Sequence, residues 1–125
     1  MMQGSGRIKG DLGERTKKFA LSIIQLYGEL PRTLVAQVLG RQMLRSGTSV
    51  GAQCREAQRA KSVADFVSKI EGALQELDET AYWFELLEEA RIARTGRRTQ
   101  LTAEANELMA ILVTMVKRSR MDAKR

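Results

Sequence analysis

The sequence contains no histidine. That removes a histidine-centred triad, a histidine metal site and an imidazole pH switch in one step. The single cysteine, Cys54, excludes an intramolecular disulfide and fits a reducing compartment. One cysteine with carboxylates alone makes a poor metal set, so neither a metal nor any other cofactor is expected. Proline occurs once, at Pro31, and aromatic residues make up 5% of the chain. No interleaved aromatics mark a base-stacking surface. No uncharged run approaches the ~20 residues of a membrane span. The opening MMQGSGRIKGDL lacks the apolar segment of a signal peptide. The expectation is a cytoplasmic protein without a membrane partner.

What the chain does have is helix-forming material: six Met and many Ala, Leu, Glu and Arg. At 125 residues there is room for one domain whose core needs no disulfide or metal. Residues 1–10 read as a lead-in, 11–120 as the folded body and 121–125 as a basic tail. Asp11 is placed to cap a first helix, with Glu14 completing a capping box. Leu12, Thr16, Phe19, Ala20, Ile23, Leu26, Tyr27 and Leu30 then recur at helical spacing until Pro31 ends the helix.

A second helix is predicted from Arg32 or Thr33 to about Arg59 or Lys61. Its stripe is Ala36, Gly40, Met43, Gly47, Val50, Cys54 and Ala57. Gly40, Gly47 and Gly51 leave room for another helix to come close, against a helix-propensity cost of about 1 kcal/mol each. The segment from Arg45 to Ala60, RSGTSVGAQCREAQRA, crowds small residues together and has a rival reading as a break near Ser46 to Gly51. The stripe keeps its phase through it, which favours a continuous helix. It also lacks the strand-to-helix setting and lysine placement of a phosphate loop.

Ser62 and Asp65 form a second capping box, before a stripe of Phe66, Ile70, Ala73, Leu74, Leu77, Ala81, Phe84 and Leu87. This third helix is predicted to end near Arg94, with Thr95 and Gly96 as the stop. Thr99 or Thr102 would cap a fourth helix with a stripe of Ala105, Leu108, Met109, Leu112, Met115 and Val116, fraying beyond Lys117. Four helices on short connections predict an all-α, up-down-up-down four-helix bundle, with the second and third helices the long pair.

Net charge is +6, and its distribution is uneven. The second helix is basic, with Arg41, Arg45, Arg55, Arg59 and Lys61 against Glu56. The third is acidic between Lys69 and Arg91. Positions equidistant from the turn at Ser62 should meet, so Arg45 is paired with Glu79 or Glu76, and Glu56 with Lys69. Glu76 and Glu79 have an alternative reading as catalytic or di-metal carboxylates, which the missing histidine disfavours. One end of the bundle would carry Arg32, Arg91, Arg94, Arg97 and Arg98. The other would carry Arg7, Lys9, Arg59, Lys61, Lys117, Arg118, Arg120, Lys124 and Arg125. Basic ends suit phosphate contacts that ignore sequence, with Arg91, Arg94, Arg97, Arg98, Lys117, Arg118 and Arg120 as the candidates. The plainer reading is that cations at helix C-termini answer the macrodipole. Tyr82 and Trp83 are neighbours and cannot share one helix face, so one of them is a candidate subunit-interface residue.

The stretches DLGERTKKFALSIIQLYGELP (Asp11 to Pro31), VLGRQMLRSGTSVGAQCREAQRAKSVADFVSKI (Val38 to Ile70) and ELDETAYWFELLEEA (Glu76 to Ala90) carry a family likeness. They resemble the small bacterial bundle proteins encoded within intervening sequences of large-subunit ribosomal RNA genes. Accessory variability proteins of diversity-generating retroelements belong to the same broad family. The family usually has Ala-Asn-Tyr-Arg-Glu-Ala where this chain has Ala52, Gln53, Cys54, Arg55, Glu56 and Ala57, and often has Lys where Gln75 stands. The resemblance implies a left-handed bundle that assembles as a homopentameric barrel. It also implies, from the retroelement members, nucleic-acid binding through basic surfaces and association with a reverse transcriptase. The expectation is therefore a non-enzymatic homo-oligomer that binds RNA or DNA. The alternative is a scaffold for a protein such as a reverse transcriptase or ribosomal component.

Overall fold

Among the described residues four helices make up the fold: α1 (Gly10–Glu29), α2 (Leu34–Gln58), α3 (Val63–Glu89) and α4 (Gly96–Ala123). They come from a computed structural model that describes residues 10–93 and 96–124. No strand occurs among the described residues. Two hydroxyls start the central pair. Thr33 accepts a hydrogen bond from the Ala36 N–H at 3.2 Å, and Ser62 from the Asp65 N–H at 3.0 Å. The Asp65 carboxylate turns back to the N–H of Lys61 at 3.2 Å, one residue ahead of the cap itself.

Side-chain pairs show that successive helices run antiparallel. Gly40 faces Leu30 and Tyr27, while Gly47 faces Ile23. Ser46 meets Thr80 and Lys69 meets Glu56. Arg120 meets Glu71. Arg15 reaches Glu104 and Glu107, and Arg97 reaches Glu29, which closes the ring between α4 and α1. The result is an up-down-up-down four-helix bundle. The α2–α3 seam is its most extensive contact and the α1–α4 seam its least.

The core follows the helical period. All seven stripe residues of α2 are buried, and Ser46 joins them. Phe19, Phe66 and Phe84 are the largest fully buried side chains. In α3, Leu74 and Ala81 are only partly buried, and Val67 and Thr80 take the core positions instead. In α4, Met109 and Met115 likewise lie at the core's edge, while Leu101 is buried.

Four boundaries differ from expectation. α1 already includes Asp11, whose carboxylate sits in the first turn and favours the positive end of the macrodipole rather than capping it. α3 stops at Glu89, before Arg94. Arg91 adopts a φ of 60°, its N–H bonds to the Glu88 carbonyl at 2.9 Å, and the Ile92 N–H bonds to Leu87 at 2.8 Å. This is the paired closure that usually has glycine in the left-handed position. Gly96 therefore opens α4 instead of ending α3, and Thr99 and Thr102 lie within α4 rather than capping it. α4 spans 28 residues, so it and not the α2–α3 pair supplies the longest helix, and it runs on to Ala123 through the expected basic tail.

Candidate nucleic-acid interface

The cations divide into those held by the fold and those left outside it. Arg98 belongs to the first group, which corrects its reading as an outward contact. It is 8% exposed, donates from Nε to the Ala93 carbonyl at 3.0 Å, and lies 3.3 Å from the Glu88 carboxylate. Its guanidinium thus closes the turn between α3 and α4. Arg97 donates to Glu29 at 2.9 Å and to Gln25 at 2.8 Å, tying that turn to α1. Arg120 pairs with Glu71 at 2.6 Å. Arg91, Lys117 and Arg118 are exposed and form no ion pair among the described residues, and the same holds for Arg32, Arg59 and Lys61. Arg7, Lys9, Arg94 and Arg125 lie outside the described residues.

The structural ion pairs fall where the turn at Ser62 places them. Arg45 bonds to Glu76 at 3.2 Å and also to Glu79, and Glu56 lies 3.4 Å from Lys69. Hydrogen bonds to Glu79 from Arg45 and then from the Trp83 indole hold its carboxyl below the usual range. Trp83 is thereby attached to its own helix, with Nε1 donating to Glu79 at 3.1 Å. Tyr82 points away from the core at 53% exposure, its ring centroid 5.3 Å from that of Trp83. The two candidate interface residues thus have different settings: Trp83 is partly covered and bonded, and Tyr82 is open.

Two grooves flank α1. One, of about 520 Å³, lies between α1 and α4 and is floored by Leu12, Phe66 and Ile111. The other, of about 630 Å³, lies between α1 and α2 and carries Lys17, Arg55 and Arg59 along its edges. These cations come from two helices, so their convergence has no signature in either helix alone. Cys54 lines the second groove from below at 2% exposure, and burial pushes its thiol up to about 11. Among the described residues no cluster of His, Cys, Asp and Glu could hold a metal ion, and no helix is long and apolar enough to cross a membrane.

The arrangement has a counterpart among known proteins. A crystal structure of a protein of unknown function from the S23 ribosomal protein family of Bacteroides thetaiotaomicron is similar at 38% identity and a TM-score of 0.77. The match covers 84% of this chain and 97% of that one. A comparison with curated proteins finds no match. The model of the 23S rRNA-intervening sequence protein family matches residues 11–114, which takes in α2, α3, the turns that Thr33, Ser62 and Arg98 secure, and most of α1 and α4. With the family's pattern running through all four helices of this bundle, the chain belongs to the 23S rRNA-intervening sequence protein family.

Proposed function

We propose that the protein is a non-enzymatic bundle that self-assembles, as a pentamer, and holds RNA or DNA through its basic ends. The carrying observation is the division of the cations. Arg45, Lys69, Arg97, Arg98 and Arg120 are taken up by carboxylates. Arg32 and Arg91 at one end, and Arg59, Lys61, Lys117 and Arg118 at the other, remain exposed and unpaired among the described residues. Unpaired cations at both ends suit phosphate contacts that position a nucleic acid without reading its bases. The family's name refers to 23S rRNA, which makes RNA the first ligand to try.

Self-assembly is supported by an apolar group in the open. Leu34, Val35 and Val38 at the start of α2 are 80%, 58% and 49% exposed, and Tyr82 on α3 is exposed too. Side chains of this kind are favoured inside subunit interfaces. The same group also suits a second reading, in which it docks another protein, such as a reverse transcriptase or ribosomal component, and nucleic acid plays no direct part.

Light scattering combined with an RNA titration across salt tests the proposal. The expected result is a particle of five protomers whose RNA affinity falls steeply between about 50 and 200 mM salt. Arg91→Gln together with Arg118→Gln should weaken it further. A monomer at working concentration, or no RNA binding at low salt, would overturn it. A stable protein partner captured by a chain that ignores RNA would favour the second reading.

A further inference from the structure

The groove between α1 and α2 sets cationic edges over a floor of small residues. Gly13 and Ala20 on one side, and Gly51 and Ala52 on the other, keep its floor low. Its volume of about 630 Å³ falls within the ~300–1,000 Å³ of ordinary ligand clefts. Lys17, Arg55 and Arg59 stand at its edges, exposed and without an ion pair among the described residues. Two carboxylates share the lining. Glu56 is drawn to Lys69 on α3, which leaves Glu14 as the opposing charge. The hydroxyls of Thr16 and Thr48 donate to carbonyls of their own helices, to Gly13 at 3.2 Å and to Leu44 at 2.7 Å. The Cys54 thiol is neutral at physiological pH. Cationic side chains are therefore the groove's free donors. No aromatic ring lines it, so a base has nothing to stack on.

From this geometry we infer that the α1–α2 groove is a track for the phosphodiester backbone of a single strand, held by Lys17, Arg55 and Arg59. The inference rests on the nucleic-acid reading above and assigns it a concave site between α1 and α2, which shares only Arg59 with the bundle end. Long cationic arms over a shallow small-residue floor let a phosphate settle between them, reached from both helices. Recognition through phosphate alone is indifferent to sequence and to sugar, and it depends steeply on salt. Glu14 works against it and limits the affinity.

Fluorescence anisotropy with a labelled single-stranded RNA, and with DNA of the same sequence, tests the inference on the full chain. The changed positions are all exposed, so the variants should melt as the parent does. Lys17→Gln with Arg55→Gln, which leaves the end cations untouched, should weaken binding about tenfold or more and lower the salt slope by about 1.4, roughly 0.7 for each single-strand phosphate that is no longer neutralised. Ala52→Glu, which puts a carboxylate on the groove floor, should weaken binding similarly. Glu14→Gln should tighten it about two- to threefold by removing the opposing charge. RNA and DNA should behave alike, and a strict preference for RNA would overturn recognition through phosphate. If these variants bind like the parent while Lys117→Gln with Arg118→Gln loses affinity, the groove is overturned and the end-binding reading stands. If the parent itself fails to bind at low salt, both fall.

Discussion

The two faces that α2 turns to its neighbours are built on opposite principles. Toward α1 it offers missing side chains. A Cβ at Gly40 would come within 2.6 Å of Leu30, and one at Gly47 within 2.8 Å of Ile23. Toward α3 it offers directional polar pairs. The buried hydroxyls of Ser46 and Thr80 lie 2.7 Å apart, with Arg45–Glu76 and Glu56–Lys69 on the flanks. The difference separates two jobs. A glycine seam sets how near α1 can come, with one side-chain bond across it among the described residues, from the Tyr27 hydroxyl to Gln37 at 2.7 Å. Paired polar groups fix axial position, because sliding would break the Ser46–Thr80 bond and the flanking ion pairs.

The largest effect should come from the glycine seam. Gly47→Leu drives a side chain into Ile23, which is fully buried and branched next to the backbone, and should cost about 3 kcal/mol in urea unfolding. Gly51→Ala is the contrast. Its Cβ would stand 3.3 Å from the Thr16 hydroxyl, and the helix-propensity gain of about 1 kcal/mol should bring the change near neutral. Equal losses at both positions would mean that close approach is not what the seam requires.

The hydroxyl pair comes next. Ser46→Ala should cost about 1 kcal/mol, because Thr80 keeps its bond to the Glu76 carbonyl at 2.8 Å. Ser46→Ala with Thr80→Val should cost less than the two single changes added together. Full additivity in a double-mutant cycle would show that the two hydroxyls do not act as a couple.

The smallest effect belongs to the exposed ion pairs. Arg45→Ala should change stability by only ~0–1 kcal/mol. Its signature is in pH instead. Glu79 is held below its ordinary 4.5, chiefly by Arg45. Its contribution is therefore complete above that value and lost as pH falls through the depressed one. Trp83, the only tryptophan and a donor to Glu79, should report that titration by fluorescence. Arg45→Ala should move the transition to higher pH, and an unmoved transition would show that Arg45 does not set the charge of Glu79.

Legibility in the sequence follows the same division. Periodicity reads side-chain size and polarity along one helix, so the α2 stripe and the ion-pair register about Ser62 can be written down residue by residue. Ser46 and Thr80 escape it because hydroxyl residues carry no burial signal alone. The one available clue is that they stand nearly equidistant from the Ser62 turn. The α3–α4 turn falls elsewhere than the pattern predicts because its left-handed residue is Arg91 and not a glycine. Gly96 then draws the expected boundary to itself. Arg98 reads as exposed because arginine usually is, yet the turn it closes needs a donor for the Ala93 carbonyl. The α1–α2 groove is invisible for a different reason, since Lys17 and Arg55 come together only through tertiary packing.

The burial of Cys54 gives the molecule a clock. It is the only thiol in the chain, 2% exposed and beneath the junction of α1 and α2. A thiol reagent can reach it only when that junction parts, so the rate of labelling measures how often the bundle breathes there. When reagent attack is slower than reclosing, the rate follows the population of the open form. When attack is faster, it follows the opening step itself. The wild-type chain can therefore time the separation of α1 from α2 with no probe added.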